Sequence, residues 1–290
     1  MSPRPLDHLV MPVTDIGTAR ERLTTLGFTV AADARHPFGT ENACVFFSDK
    51  TYLEPLGIAS EAECQATARA GNQFTARNNA FRFRNGPEGL SAIVMGSEDA
   101  EGEDAVFRAE GLSGGNMLQF SRVMKLPDGS EVTPTFKLAF AADLRAPDFH
   151  GITCQRINVP PADRSALERH ANGVTGIKTV ILAEANPADF EDFLKKLVGQ
   201  QATSGSRSSV TIPSANADIQ VLNAEGAHDF PGLDVAPGRG LRGWLVVFQV
   251  TDITATETLL ASSGVTFNKH NGILLVPHQP GQGVPLAFSE

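Results

Sequence analysis

The stretch DHLVMPVTDI, residues 7–16, determines how the chain is interpreted, because a strand and a helix start follow each other within it. His8 to Val13 has the apolar character of a buried strand, and Thr14 or Asp15 can cap a helix that starts at Ile16. The tetrapeptide VTDI recurs at residues 250–253, again ahead of a predicted helix. This recurrence indicates an internal repeat.

The first repeat unit has the predicted order βαβββ. Its helix covers residues 16–26, and Gly27 ends it, as glycine commonly does past a helix terminus. The predicted strands then cover residues 28–32, 42–47 and 51–56. Residues 59–85 are interpreted as a linker, with Arg82 and Arg84 on one side of an extended segment.

Three further units of the same order begin near residues 90, 177 and 244. Asp128-Gly129 is a strong signal for a hairpin turn inside the second unit. We therefore predict an α+β protein made of four βαβββ units. Two units form a first domain, residues 1–160, and two form a second, residues 161–290.

The composition is that of an ordinary globular protein, with 41% hydrophobic and 20% charged residues. A formal net charge of −9 disfavours nucleic acids and anionic membranes as partners. No stretch is long enough to span a membrane and the N-terminus lacks a signal core, so a cytoplasmic location is expected. Three widely spaced cysteines predict neither a disulfide framework nor a structural zinc site.

Two polar residues stand out because they lie inside apolar strands. His8 is in the first strand of the first unit, and Glu54 is in its last strand. Burial of either without a partner would be costly. Together they could bind a divalent metal, act as a base with its orienting carboxylate, or form a structural pair. The residues alone leave all three interpretations open.

The other candidate ligand-binding residues surround this pair. The loop HPFGTEN, residues 36–42, contributes His36, Thr40 and Asn42. Strand alternation places Tyr52 on the same face as Glu54. Arg82 and Arg84 could clamp a carboxylate.

The repeated units, together with DHLV, HPFGTEN and YLE at residues 52–54, resemble the vicinal oxygen chelate superfamily. That superfamily includes glyoxalase I, extradiol dioxygenases and bleomycin-resistance proteins, and the closest resemblance is to its glyoxalase-like domain family. The resemblance is best over the first 160 residues, and the second half is interpreted as degenerate. It implies that two units pair their curved sheets around a cleft. It also implies a cleft metal, Zn, Ni, Mn, Fe or Mg, held by the first and last strands of both units.

Only half of that ligand set is present. The first unit supplies His8 and Glu54, whereas matching the units puts the second unit's positions at Ala92 and at or near Gln155. An amide oxygen is a weak ligand and alanine offers none. The resemblance therefore implies a weakly held metal on His8, Glu54 and Gln155, or no metal at all. In the third and fourth units the position of His8 is taken by Thr179 and Leu245, so no metal is expected there.

The leading hypothesis is a small-molecule enzyme of the isomerase or lyase type, with His8 and Glu54 as its catalytic residues. The alternative is a metal-free protein that binds and sequesters a small molecule, as bleomycin-resistance proteins do. An extradiol dioxygenase is disfavoured, because its iron requires two histidines and a carboxylate and no second cleft histidine is evident. The substrate is left open, as are a monomer or a homodimer and pairing of units within or between chains.

Overall fold

The computed structural model describes residues 2–125, 131–159, 163–236 and 238–290. The predicted turn at Asp128-Gly129 and the predicted domain boundary at residue 160 lie outside these residues. Over the described residues the chain forms two large mixed sheets with helices packed on them.

The first half of the chain builds one sheet and its helices. Its elements are β1 Leu6–Pro12, α1 Ile16–Thr25, β2 Ala34–Arg35, β3 Thr40–Asn42, β4 Val45–Phe46, β5 Tyr52–Ile58, α2 Glu61–Arg69, α3 Gln73–Asn85, β6 Ala92–Ser97, α4 Ala100–Ala109, β7 Leu118–Ser121, β8 Met124–Lys125, β9 Glu131–Val132, β10 Thr135–Ala141 and β11 His150–Ile157.

The second half builds the other sheet. Its elements are β12 Val174–Ala183, a 3-10 turn Pro187–Phe190, α5 Glu191–Val198, β13 Ser204–Gly205, β14 Ser209–Pro213, β15 Asp218–Leu222, a 3-10 turn Gly226–Asp229, β16 Arg242–Val250, α6 Ile253–Ser262, β17 Asn268–His270, β18 Ile273–Val276 and β19 Leu286–Ser289.

The two large sheets have the same topology. In the first, the order is β2-β3-β5-β1-β6-β11-β10-β7, with β4 beside β5. Strand β1 is parallel to β5 and antiparallel to β6, which is parallel to β11. In the second, β12 and β16 occupy the positions of β1 and β6. The predicted fold class, an α+β protein of tandem units, is confirmed, and the units pair within one chain.

Local signals place the repeated helices correctly. The Asp15 carboxylate accepts a hydrogen bond from Thr18 N at 2.7 Å and caps α1. Asp252 caps α6 in the same way through Thr254 N and Ala255 N. Both contacts lie within a few residues in the sequence, which is why the VTDI repeat predicts both helix starts.

Two segments differ from the prediction. Residues 28–32 form no strand: the carbonyls of Val30 and Ala31 accept from the Arg20 guanidinium, and Ala31 N donates to Cys44 O. Residues 59–85 are not an extended linker but hold α2 and α3. Ser60 caps the first of these helices and Asn72 caps the second. Both are residue types that favour a helix start, and they are the local signal for the two helices.

The two halves share one apolar core between their sheets. Phe28 packs against Phe248 with ring centroids 5.3 Å apart. The backbones approach closely at Gly243, where an added Cβ would lie 2.5 Å from Leu90 O. The halves are therefore held together by packing that leaves no room for a side chain at this point.

The corresponding faces of the two sheets differ in what fills them. In the second half, Leu245 of β16, the strand that matches β6, lies in an apolar cluster with Phe230 and Trp244. Phe230 and Trp244 pack edge to face, with centroids 5.7 Å apart. In the first half the same face carries an open cavity, so the candidate site lies there.

Candidate functional site

A cavity of about 350 Å³ opens on the first sheet and combines aromatic walls with a charged floor. The aromatic and aliphatic walls come from Phe38, Phe46, Phe47, Phe74, Phe120, Phe136, Leu138 and Val159. The polar and thiol groups are His8, His36, Asn42, Cys44, Thr51, Tyr52, Glu54, Arg122, Cys154 and Arg156, with Lys50, Arg164 and Glu168 completing the lining.

His8 lies between two carboxylates. Its Nδ1 is 2.5 Å from Asp7 Oδ1, and its Nε2 is 3.5 Å from Glu54 Oε2. Its ring stacks on Tyr52, which is opposite His8 in the β1–β5 ladder, with centroids 4.3 Å apart. The ladder between β1 and β6 is irregular between Leu6 and His8. Consecutive residues of a regular strand point to opposite faces, but such a bulge redirects side chains. This explains how Asp7 and His8 both reach one site.

Asp7 is shared by His8 and Arg156. Both of its oxygens accept hydrogen bonds from the Arg156 guanidinium, one of them from Nη2 at 2.6 Å. Arg156 Nη2 also donates to Tyr52 Oη at 3.2 Å. Sequence reasoning missed Asp7 and Arg156, and the only signal for them was a pair of opposite charges in two strands.

The loop before β3 completes the cluster around Glu54. Asn42 Nδ2 donates to Glu54 Oε1 at 2.6 Å, and His36 Nε2 is 3.6 Å from the same oxygen. His36 Nδ1 is 2.9 Å from Thr40 Oγ1. The structure thus brings His36, Thr40, Asn42, Tyr52, His8 and Glu54 together. His36, which the sequence predicted as a ligand-binding residue, is a second histidine in this cleft.

Each charged group in this cluster stabilises the ionised form of its neighbours. Burial alone would raise the pKa of Glu54, but the hydrogen bond and charge of His8 outweigh it and lower that pKa to about 2. The pKa of Asp7 is likewise held well below its usual range by His8 and Arg156, against burial. Burial would lower the pKa of His8, yet Asp7 and Glu54 raise it. This arrangement favours an imidazolium held between two carboxylates.

His36 differs from His8 in charge. Burial lowers the pKa of His36 to about 4, with Glu54 opposing the shift and the charge of Arg122 adding to it. The ring also stacks on Phe38 with centroids 5.0 Å apart. At neutral pH His36 is therefore a neutral ring, able to accept a hydrogen bond.

This difference predicts a pH dependence of stability. Because the pKa of His36 is lower in the folded state, its contribution is present above pH 6.5 and is lost as the pH falls toward 4. We expect the wild type to lose roughly 3 kcal/mol more than His36→Gln between pH 7 and pH 4. Urea unfolding across this range measures the difference, with exposed His228→Gln as the control. Parallel pH curves for wild type and His36→Gln would contradict the assignment.

Four predicted residues are not part of the cavity lining: Thr40 contacts His36 from behind it, and the other three lie elsewhere. Gln155 caps α4, since its Nε2 donates to Glu98 O and its Oε1 accepts from Ala100 N. Arg82 lies on α3 and donates to main-chain carbonyls, including Leu56 O at 2.6 Å. Arg84, on the same helix, pairs with Asp148. The predicted extended segment would have placed both arginines on one side of the chain, where they could bind one carboxylate. The helix that forms there instead directs them to different partners.

Strand pairing also corrects the match between the two units. Glu54 lies opposite the residue two positions after His8, and Ile152 lies opposite the residue two positions after Ala92. The last-strand position of the second unit is therefore Ile152 and not Gln155. Both second-unit positions carry apolar side chains.

A family model described as a glyoxalase-like domain matches residues 6–198. The chain belongs to the glyoxalase-like domain family. The match covers all of the first sheet, including every residue of the cluster around His8, and continues into the third unit. No curated protein matches the chain.

Solved structures share the fold at low identity. A hypothetical protein from Staphylococcus aureus is 11% identical with a TM-score of 0.67, and the match covers 98% of both chains. A mutant 4-hydroxymandelate synthase from Streptomyces coelicolor is 13% identical with a TM-score of 0.61, over 99% of this chain and 92% of that one. The Mn(II)-bound glyoxalase from Novosphingobium aromaticivorans is 12% identical with a TM-score of 0.52, over 99% and 82%.

The family implies a divalent metal between paired units, and the donors present here do not fit one. The second unit offers Ala92 and Ile152, neither of which can bind a cation. Within the part of the chain that the structure describes, no group of three or more His, Cys, Asp or Glu side chains is placed to hold a metal. His8 and Glu54 are already bound by Asp7 and Asn42. The predicted set of His8, Glu54 and Gln155 is not assembled.

Proposed function

We propose that this chain is a small-molecule enzyme of the isomerase or lyase type that transfers a proton in the cavity around His8 and Glu54. The proposal rests mainly on one observation, the charged pair of these residues in the lining of a largely aromatic cavity. None of the helices in the described residues is long and apolar enough to cross a membrane.

The cavity suits a small molecule with an aromatic or other apolar body. Its volume lies at the lower end of the range for ligand pockets. Phe38 and Phe120 meet edge to face with centroids 5.2 Å apart, and Phe120 stacks on Phe136 at 5.1 Å. Such surfaces bury a ring while leaving polar groups at one end to orient it.

The pair can move a proton at a carbon next to a carbonyl. The ionised Glu54 carboxylate would take the proton as the C–H bond breaks, and the electron pair would pass to the carbonyl oxygen. The His8 imidazolium would donate a hydrogen bond to that developing oxyanion. Return of the proton to another carbon gives an isomer, and loss of a leaving group gives a lyase product. Because the low pKa of Glu54 makes it a weak base, stabilisation by His8 must supply much of the driving force.

Nucleophilic chemistry at sulfur is disfavoured. Cys44 and Cys154 both line the cavity. Burial raises the pKa of Cys154 to about 12 and also raises that of Cys44. The neutral thiol is a poor nucleophile. Acid–base chemistry is therefore the better use of this cavity.

Proton exchange in D2O tests the proposal. Phenylacetone and phenylpyruvate are incubated with the protein, and loss of the C–H signal is followed by NMR against the spontaneous rate. We expect exchange by the wild type and a rate roughly 100-fold or more lower in His8→Gln. The control His278→Gln, whose residue lies outside this cavity, should exchange at the wild-type rate. Added Mn(II) or Zn(II) should not restore the variant. Exchange that survives in His8→Gln, or that is absent from the wild type, would contradict the proposal.

A metal-free binding protein is the second candidate, and one observation favours it. His8 and Glu54 already have partners within the protein, namely Asp7 and Asn42. A protein that only sequesters its ligand needs no free acid or base. It would show a thermal midpoint that rises with phenylacetone or phenylpyruvate while no C–H exchange occurs.

A further inference from the structure

Arg122 is a partly buried cation that lines the cavity without being used by the proposed proton transfer. It follows β7, and its guanidinium carbon lies 5.7 Å from the centre of the Phe136 ring. Its Nε and Nη1 atoms are buried and have no hydrogen-bond partner among the described residues. Buried donors left without an acceptor are costly, so two such atoms at a cavity wall point to a ligand acceptor.

Two of the other three Lys and Arg side chains of the cavity are paired with carboxylates, and the third, Arg164, has no buried nitrogen atom that lacks a partner in the part of the chain that the structure describes. Arg156 is bound by both oxygens of Asp7. Arg164 lies over the Phe46 ring at 4.6 Å, and exposed Lys50 pairs with Glu168 at 3.1 Å. Among the described residues, Arg122 is therefore the cation best placed to receive a ligand's negative charge.

The charge balance leads to the same conclusion. In the cluster around His8, the two carboxylates are matched by two cations, the His8 imidazolium and Arg156. Arg122 adds one positive charge that no carboxylate of this cluster offsets. A monoanionic ligand would offset the charge of Arg122, whereas a cation would add to the excess.

An aromatic surface connects Arg122 to the reacting pair. Phe136 under the guanidinium stacks on Phe120, and Phe120 meets the His36 ring edge-on with centroids 5.8 Å apart. His36 in turn lies beside Glu54. A ligand ring resting on these phenylalanines would direct one end to Arg122 and the other to Glu54.

We infer that Arg122 binds the carboxylate of the ligand, so that the substrate class is small aromatic or apolar acids. A guanidinium offers two parallel donors that match the two oxygens of a carboxylate. This inference rests on the proposed function only for the identity of the reacting end, since the anion site is defined by Arg122 itself.

The test compares two probes of equal shape, phenylacetate and phenylacetamide, by calorimetric titration at low ionic strength. We expect the wild type to bind the acid at least about 10-fold more tightly than the amide. Arg122→Gln should lose about 10- to 100-fold in affinity for the acid and bind both probes alike. Arg122→Lys should retain part of the preference. Arg69→Gln, an exposed arginine on α2, is the matched control and should bind as the wild type does.

Several outcomes would overturn the inference. One is a wild type that binds both probes equally or binds neither. Another is a preference for phenylacetate that survives in Arg122→Gln, or that disappears in Arg164→Gln. The lysine variant guards against misfolding, because it keeps the charge and most of the volume. Carboxylate preference without C–H exchange would leave this site standing and contradict the proposed function. C–H exchange without a preference for the acid would support the proposed function and contradict the carboxylate site at Arg122.

Discussion

Glu54→Gln is expected to lower C–H exchange by roughly 100- to 10,000-fold, because an amide cannot accept the substrate proton. The substitution keeps the side-chain shape and leaves Asn42 a carbonyl oxygen to bind. It also removes one of the two carboxylates that raise the pKa of His8, so that pKa should fall. Exchange rates and an NMR titration of His8 measure the two effects on the same sample.

The matched control for this prediction is Glu41→Gln. Glu41 is a half-buried glutamate in β3, outside the lining of the cavity, and its change should leave exchange within about 2-fold of the wild type. The pH profile adds a second check, because the working pair needs Glu54 ionised and His8 protonated. Exchange should therefore decline on the alkaline side as His8 loses its proton. Exchange in Glu54→Gln equal to that of the control would remove Glu54 from the reaction.

Asp7→Asn is expected to cost roughly 3–5 kcal/mol of unfolding free energy, the largest stability effect in the site. Asp7 accepts from both Arg156 and His8, so its loss leaves the buried His8 and the partly exposed Arg156 without their shared counter-ion. Its pKa is lowered in the folded state, so its contribution is present above the ordinary aspartate pKa near 4 and is lost as the pH falls through the folded value. The gap between wild type and variant should widen as the pH falls through the range in which His8 takes up its proton, because Asp7 raises the pKa of His8 only in the wild type, and it should shrink in stronger acid.

Urea unfolding at neutral and acid pH measures this gap. The control is Asp33→Asn, since Asp33 pairs with Arg20 at the surface and its side chain is 60% exposed. That change should cost less than about 1 kcal/mol. Equal losses in the two variants would show that the Asp7 network adds no more than a surface ion pair.

Much of the candidate site could be predicted because its signals are local. His8 and Glu54 were conspicuous as polar residues in apolar strands, and alternation along β5 placed Tyr52 with Glu54. Asn42 and His36 came from the loop that the family resemblance included. The direct bond between Asn42 and Glu54 depends on how β3 pairs with β5, and no pattern in either strand specifies that pairing.

The residues that were missed depend on geometry between distant strands. Gln155 and Arg156 are neighbours, and only the face that β11 turns to the cavity decides which of them enters it, because a shift of one residue exchanges the two faces. Asp7 reaches the site through an irregularity in the β1–β6 ladder. Arg122 became a candidate only when its buried nitrogen atoms could be seen to lack acceptors in the described structure.

The sequence alone determined the repeat, the helix starts capped by Asp15 and Asp252, and the polar pair of His8 and Glu54, because each depends on short-range hydrogen bonding or on burial pattern. Only the tertiary structure decided which residues bind that pair. It also placed apolar residues at the second unit's ligand positions and put Arg82 and Arg84 on a helix outside the cavity. These depend on strand register and packing over separations of tens to more than a hundred residues. At such distances the energies of contact are set by geometry that the local sequence does not encode.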